Sequence, residues 1–169
     1  MAIRDMLLPE FDQETATTRK FLERVPEDRP DWRPHPKSMP LARLAGHVAE
    51  LAAWATTTLT SDSLDFNPPG GTPYKATVLE SRERLLAAFD QNVKSGREAL
   101  ANAQDADFMK PWSLLSGGRT LFTLPKIAVL RSFVFSHTVH HRAQLGVYLR
   151  MNEIPVPASY GPSGDEGGM

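Results

Sequence analysis

The sequence predicts an all-α protein built as a bundle of four long helices. Its 14 prolines fall into clusters, and the segments between the clusters contain few helix breakers. Within those segments, apolar residues recur every three or four positions, which is the period of an amphipathic helix. The chain has 169 residues, of which 41% are hydrophobic and 23% charged, a composition typical of one soluble globular domain. We therefore expect a single domain over residues 1–169.

The first predicted helix covers about residues 3–25. Apolar residues such as Phe11 and Leu22 recur along it at helical spacing, with charged residues between them. Pro9 lies inside this segment, where it would kink the helix or mark a later start. Residues 26–40 contain too many prolines for a helix and are expected to form an extended connection.

The next two predicted helices cover about residues 40–60 and 75–103. Ser38 is a suitable cap for the second helix, and Pro40 fits its first turn. One face of this helix is apolar over its whole length. A fourth helix is predicted at about residues 124–151, and because it is the most apolar of the four, we expect it to be the most buried.

Between the third and fourth helices, residues 112–123 form two short apolar runs on either side of Ser116-Gly117-Gly118. Such a pattern is compatible with a small β-hairpin. The connections after the first three helices each run to a dozen residues or more. Because long connections permit crossovers, a simple up-and-down arrangement of the helices does not follow from the sequence.

Four of the five histidines lie inside predicted helices, and two of them form a pair. His137 and His141 are four residues apart, so they project from one face of the fourth helix. Two imidazoles at this spacing can bind one metal ion, as in the HExxH motif of zinc proteases. The segment here reads His137-Thr-Val-His-His141 and therefore lacks the glutamate of that motif.

His47 lies on the apolar second helix, between Gly46 and Val48. A buried neutral imidazole needs partners for both ring nitrogens, and a metal ion shared with His137 and His141 would supply one. Three imidazoles without a cysteine or an obvious fourth carboxylate leave open coordination positions, which is typical of catalytic or ligand-binding sites. The alternative is that these histidines are ordinary surface or core residues, since a pair four residues apart often arises by chance.

Other polar residues near the three histidines are candidates for supporting roles. His140 points about 100° away from His141 around the helix, so it either lies on the surface or lines a pocket. Glu50, one turn after His47, is either solvated or a hydrogen-bond acceptor or base for the site. Trp54 belongs either to the core or to a pocket wall. Four further residues could approach the site: Arg142, Gln144, Tyr160 and Asp165.

Composition excludes several classes of function. With no cysteine, the chain has no disulfides, thiolate metal sites, iron–sulfur clusters or cysteine nucleophile. The net charge is -1, and arginines alternate with glutamates, so no basic stripe is available for nucleic acid or an anionic membrane. No apolar run is long enough to span a bilayer and the N-terminus does not resemble a signal peptide, so we expect a cytoplasmic protein.

The histidine segments resemble a known family. Leu44-Ala-Gly-His47, the stretch from His137 to Pro157 and the tail from Tyr160 to Glu166 are similar to segments of DinB-like proteins. The resemblance implies a four-helix bundle with up-down-down-up topology and a divalent metal ion held by His47, His137 and His141. Nickel and zinc are the usual metals of this family, and homodimers are common. The family is similar in fold to bacterial S-transferases that use mycothiol or bacillithiol.

Two functions follow as hypotheses, and a bundle without any metal is a weaker third. The first is a metal-dependent enzyme, either an S-transferase acting on a small-molecule thiol and an electrophile or a hydrolase. A three-histidine site can lower the pKa of a coordinated thiol or water. The second is a non-catalytic metal-binding bundle of the stress-response kind. A general base that faces the open side of the site would favour the enzyme, whereas a dry apolar pocket would favour the binding protein.

Overall fold

The computed structural model describes residues 2–78 and 80–167. Its regular elements are helices and a small mixed sheet, joined by irregular segments. The helices are α1 (Ile3–Leu22), α2 (Leu41–Glu50), α3 (Ala53–Thr60), α4 (Arg82–Asn102), α5 (Asp105–Met109), α6 (Lys126–Val129) and α7 (His137–Met151). A π-helix, here called π1 (Leu130–Ser136), joins α6 to α7. The strands are β1 (Ser63–Asp65), β2 (Pro111–Ser116) and β3 (Arg119–Pro125).

The all-α prediction is wrong, because the three strands form a mixed sheet in the order β1-β2-β3. Strand β1 pairs with β2 in parallel, and β2 pairs with β3 in antiparallel fashion. The fold is therefore a mixed one and not a purely helical four-helix bundle. A strand of three residues has too few positions to show a period of two, and its partner lies beyond α4, so local pattern could not reveal it.

The antiparallel pair β2–β3 lies where the sequence is compatible with a hairpin. Its turn contains Gly117 and Gly118, whose φ angles are 64° and 75°. Two successive positive φ angles are the requirement of a type I′ turn, and glycine adopts them without strain. The carboxylate of Asp65 in β1 accepts hydrogen bonds from both glycine N–H groups, at 3.0 and 2.7 Å. The short parallel strand therefore also holds the hairpin turn in place.

Two predicted helices have different boundaries in the structure. The segment predicted as one helix over residues 40–60 divides into α2 and α3 at Leu51 and Ala52, although both residues keep right-handed helical backbone angles. The third predicted helix begins at Arg82 instead of residue 75, because the Ser81 side chain caps it by accepting the Arg84 N–H at 3.2 Å. The irregular residues 66–78 form a strap that crosses α2.

The helices α1, α2, α4 and α7 enclose the main core. Helices α1, α2 and α7 each contribute side chains with no exposed surface, and α4 contributes Phe89, which is 2% exposed. A second group of buried side chains lies around Phe11 and Leu130, between α1, α3, α4 and π1. A third and smaller group, which includes Trp112, lies between the sheet and the helices. These three groups bring α2, π1 and α7 together at one place in the molecule.

The C-terminal tail folds back onto α1 and α7. Arg142 is buried and forms an ion pair with Glu14 at 2.7 Å. The Tyr160 hydroxyl lies 2.7 Å from Arg142 Nη2 and donates to the Glu14 carboxylate. A second contact is the ion pair between Asp165 and Arg150. The tail therefore satisfies a buried charge pair, and a further ion pair joins Glu166 to Arg24 of the segment after α1; none of the hydrogen bonds of the described tail residues reaches the three histidines.

Within the described part of the chain, none of the helices combines the length and the apolar character that a membrane-spanning segment requires.

Candidate metal centre

The structure brings His47, His137 and His141 together. His47 comes from the middle of α2, His137 is the first residue of α7, and His141 follows one turn later. The ring centroids of His47 lie 5.0 Å from His137 and 4.5 Å from His141, and the two rings of α7 are 4.7 Å apart. Packing of α2 against α7 thus places the third imidazole beside a pair that helical spacing alone had placed on one face.

The three rings point their Nε2 atoms towards one another. His137 Nε2 lies 3.3 Å from His47 Nε2 and 2.9 Å from His141 Nε2. Metal–nitrogen bonds of about 2.0–2.1 Å, at angles between about 90° and 109°, separate two donor atoms by about 2.8–3.4 Å. The observed separations match the spacing that a single metal ion imposes.

His47 is held by a carboxylate on the next turn of α2. Its Nδ1 lies 2.7 Å from Glu50 Oε1. Because an ionised carboxylate can only accept, Nδ1 carries the proton and Nε2 presents its lone pair to the cluster. Burial alone would raise the pKa of Glu50, but hydrogen bonds from His47, Tyr74 and the Thr77 N–H, with the charge of Arg43, lower that pKa to about 2. The anchor of His47 is therefore an anion.

The strap fixes Glu50 from the other side. The Thr77 N–H donates to Glu50 Oε2 at 3.1 Å, and Arg43 Nη1 donates to the Thr77 carbonyl at 3.2 Å. This close approach depends on Gly46, because a Cβ atom at that position would lie 2.2 Å from the Thr77 oxygen. The residue before His47 is thus a glycine for a reason of packing: it lets the strap reach the carboxylate that orients the imidazole.

His141 is held by a neutral side chain. Its Nδ1 lies 2.7 Å from Gln144 Oε1, an acceptor, so Nδ1 carries the proton and Nε2 is again a lone pair. Burial, opposed by the Gln144 hydrogen bond and reinforced by the neighbouring histidines, lowers the pKa of His141 to about 4. At neutral pH the ring is therefore uncharged, which is the form that binds a metal ion.

His137 has a different environment. Its Nδ1 is buried and has no hydrogen-bond partner among residues 2–78 and 80–167. The Phe133 carbonyl lies near Nδ1 and opposes the lowering of the His137 pKa, but it lies outside hydrogen-bond geometry. Burial and then the neighbouring His47 lower the pKa of His137. Its ring is thus kept neutral, but its orientation is not fixed by a hydrogen bond on Nδ1.

The tautomers and separations of the three imidazoles fit a single metal ion between them. Two Nε2 atoms are lone pairs by their tautomers, and both face the Nε2 of His137 at 3.3 Å or less. One proton on His137 could satisfy only one of them, so at least one pair of lone pairs would oppose each other. A cation at the point of convergence satisfies all three. The donor set, the spacing and the anchoring carboxylate therefore fit a divalent ion.

A solvent-open groove of about 400 Å³ adjoins the cluster on the π1–α7 side. The residues that line it are Ser132, Phe133, Ser136, His137 and His140. His140 is exposed there, which agrees with the prediction that it lies on the surface or lines a pocket. The groove gives a small molecule a route to the His137 side of the cluster.

The sequence left the role of Glu50 open and did not indicate π1. Of the alternatives for Glu50, the structure shows the hydrogen-bond acceptor, because the carboxylate is buried and bonded to His47. The spacing of three residues on one helix was the signal that could have found it. The seven-residue π-helix Leu130–Ser136 directly precedes His137 in a segment predicted as continuous α-helix. π-helical turns often occur at functional sites, yet they leave no clear mark on hydrophobic periodicity.

A sequence profile of the DinB superfamily matches residues 10–145. The chain belongs to the DinB superfamily. The match confirms the resemblance based on the histidine segments, and it spans all three histidines. No curated protein matches the chain.

Two crystal structures of DinB-like proteins share its fold. One comes from Bacillus subtilis, with 16% sequence identity and a TM-score of 0.68 over 91% of this chain and 97% of that one. The other comes from Bacillus cereus ATCC 10987, with 22% identity and a TM-score of 0.66 over 90% and 95%. At these identities the likeness concerns the fold. The mixed fold of this DinB superfamily chain thus has experimental counterparts of nearly equal length.

Proposed function

We propose that this protein is a metal-dependent enzyme that holds one divalent ion, nickel or zinc, on His47, His137 and His141 and transfers a small-molecule thiol to an electrophile. The observation that carries the proposal is the convergence of three Nε2 atoms at separations of 2.9 and 3.3 Å. An ion on three imidazoles supplies a Lewis acid with open coordination positions, which lowers the pKa of a coordinated thiol or water.

The groove supports an enzyme more than a closed structural site. It is open to solvent, reaches His137 and is lined by two serines and two histidines as well as Phe133, so it is not a closed, purely apolar pocket. Glu50 faces Nδ1 of His47 rather than the groove, so its role is to orient the ring. Among the described residues, no carboxylate lines the groove to act as a general base.

This lack of a carboxylate favours thiol transfer over hydrolysis. A free thiol, with an ordinary pKa of about 8.5, is far more acidic than free water, with a pKa of about 15.7, so a cation converts it to the anion with less help from a base. In the transfer, a sulfur–carbon bond forms and the bond from carbon to the leaving group breaks. The leaving group departs with the electron pair, and His140, on the groove, can take up the thiol proton.

The first experiment is metal analysis followed by an activity panel. Elemental mass spectrometry of the purified protein should find about one nickel or zinc per chain. Chelated protein, and the same protein reloaded with each metal, are then assayed with cysteine-based thiols and 1-chloro-2,4-dinitrobenzene, and separately with p-nitrophenyl acetate without thiol. Conjugation that needs both metal and thiol is expected, and the His137→Ala variant should lose it.

Other outcomes would replace the proposal. Ester hydrolysis that needs metal but no thiol would favour a hydrolase with His140 as its base. Bound metal without either activity, together with loss of the far-UV helical signal on chelation, would favour the non-catalytic metal-stabilised protein. We expect chelation to leave the helices intact at 25 °C, because the chain buries a core large enough to fold without metal.

The homodimer, the single domain over residues 1–169 and the cytoplasmic location stay predictions. Light scattering of the purified protein would test the first, and limited proteolysis the second.

A further inference from the structure

Four aromatic side chains from four different elements pack together beside the histidines. This aromatic cluster consists of Trp54 (α3), Trp112 (β2), Phe122 (β3) and Phe133 (π1). The Phe133 ring is nearly parallel to Phe122, with centroids 5.0 Å apart at 15°, and to Trp54, at 5.9 Å and 13°. Trp112, fully buried, contacts both Trp54 and Phe122 at 6.1 and 6.4 Å. The cluster ties π1 to the sheet and to α3.

Phe133 also contacts His137, one turn further along the chain. The two rings meet edge to face, with centroids 6.4 Å apart and planes at 86°. The Phe133 carbonyl lies beside Nδ1 of the same imidazole. Both the ring and the backbone of Phe133 therefore limit the orientations open to His137.

The other two imidazoles do not need such packing. Glu50 holds His47 and Gln144 holds His141, each through a hydrogen bond of 2.7 Å to Nδ1. Nδ1 of His137 lacks an equivalent partner in the described part of the chain. Contact with Phe133 is the structural feature that takes the place of that hydrogen bond.

The backbone before His137 also needs contacts with other elements to hold its shape. All seven residues of π1 have the wide π-helical hydrogen-bond pattern, and α7 begins at His137 itself. π-helices are uncommon beyond a single turn and persist where tertiary contacts hold them. Phe133 lies in the middle of π1, and the Trp54 and Phe122 rings that stack on it supply such contacts.

We infer that Phe133, held by Trp54 and Phe122, is the positioning residue for His137, so that the small sheet tunes the affinity of the metal centre. The inference rests on the metal centre proposed above. It assigns a function to the strands that make the fold mixed: β3 presents Phe122, β2 presents Trp112, and together they orient one ligand of a site built on helices.

The test compares leucine substitutions that remove a ring but keep an apolar side chain. Phe133→Leu and Phe122→Leu remove the contact chain to His137. Trp32→Leu is the matched control, because Trp32 is also half-buried and packs edge to face on Tyr148 at 5.2 Å, outside the strap and the aromatic cluster. Phe133→Tyr keeps the ring and should restore the behaviour of the wild type.

Two readouts are measured on the full chain. Titration with Co²⁺, followed by its visible absorption and by competition with a chelator, gives the affinity and the ligand geometry. We expect affinity to fall by about 10-fold or more in Phe133→Leu and Phe122→Leu, the range for losing an outer partner of a metal-ligating histidine. Trp32→Leu and Phe133→Tyr should stay within about 2-fold. In metal-free protein, NMR signals of the His137 ring should broaden or shift in the first two variants only.

The outcomes separate the inference from the proposed function. If the wild type binds no Co²⁺, the metal centre itself is wrong. If the wild type binds and both phenylalanine-to-leucine variants match Trp32→Leu in affinity and ring signals, the positioning role is overturned while the metal centre stands. Should Phe133→Leu fail to fold, Phe122→Leu decides, because Phe122 lies half-buried on the edge strand β3.

Discussion

On the α2 side of the histidine cluster the imidazole is held by charge, and on the π1 side it is held by packing. Glu50 accepts a 2.7 Å hydrogen bond from His47 and is itself held in place by Arg43 and the strap. His137 has an unpartnered Nδ1 within the described residues and an aromatic neighbour instead. The two imidazoles thus face the same point with differently organised surroundings.

The difference shows how one site can hold one imidazole rigidly and leave another free to adjust. An anionic anchor fixes the tautomer of its imidazole and keeps the ring from rotating, which favours a firmly bound ion. A ring held by packing can move when its neighbours move, and this ring is the one that lines the groove. The imidazole held by a hydrogen bond therefore lies on the α2 side of the cluster, and the imidazole held by packing lies on the groove.

The largest expected effect concerns whether both regions supply ligands. His141→Ala removes one of three converging donors and should weaken metal binding by more than about 100-fold, beyond the loss for an outer partner. His140→Ala is the matched control, since that exposed ring lies next in sequence but outside the three-histidine cluster. Metal content of both variants by elemental mass spectrometry is the measurement. Equal loss in both would show that the pairing of His137 with His141 is mistaken.

A second prediction concerns the cost of burying the α7 histidines without metal. The pKa of His141 is about 4 in the fold, against an ordinary value of 6.5. Between these values the unfolded chain binds more protons than the folded chain. The contribution of neutral His141 to the free energy of unfolding of metal-free protein is therefore complete above pH 6.5 and is lost as the pH drops to about 4. This group alone contributes up to about 3 kcal/mol to the loss.

Urea unfolding in chelator at a series of pH values measures this loss. A His141→Asn variant cannot titrate there and should show a shallower dependence on pH. Glu50, whose pKa is about 2, loses its contribution only between pH 4.5 and about 2, so the two windows are separate. An identical slope in wild type and variant above pH 4.5 would contradict the assignment.

The α2 side can be disturbed through the strap. Gly46→Ala places a Cβ against the Thr77 oxygen, at 2.2 Å before relaxation, so the strap must shift. We expect a loss of about 1–3 kcal/mol in the free energy of unfolding, as for other overpacked sites. Gly161→Ala is the control, because its Cβ would meet open space, and it should stay within about 0.5 kcal/mol. Unchanged stability of the first variant would mean that the strap is loosely held.

The smallest effect isolates the charge of the anchor. Glu50→Gln keeps an oxygen that can accept from His47 but removes the negative charge, and we expect metal affinity to fall by about 10-fold. Glu98→Gln, an exposed position on α4, controls for the general loss of an acidic group. Competition titration with a chelator compares the two. Equal affinities would mean that the hydrogen bond alone, and not the charge, orients His47.

Much of the helical part could be predicted because its signal is local. The apolar stripe of α1 and the glycine turn at Gly117-Gly118 each depend on residues close in sequence. The parallel strand β1 and the π-helix could not be predicted, and the three-stranded sheet that β1 completes made the all-α class wrong. Both depend on partners far along the chain, and neither has a periodicity of its own.

The site divides in the same way. Helical spacing placed His137 beside His141, since residues four apart share a face whatever surrounds them. The approach of His47, the burial of Glu50 and the contact of Phe133 with His137 needed tertiary packing, because each joins elements or depends on what covers a surface. Sequence by itself determined which imidazoles could share an ion; only the folded structure decided how each is held, because hydrogen-bond partners and stacked rings come from segments that the chain brings together on folding.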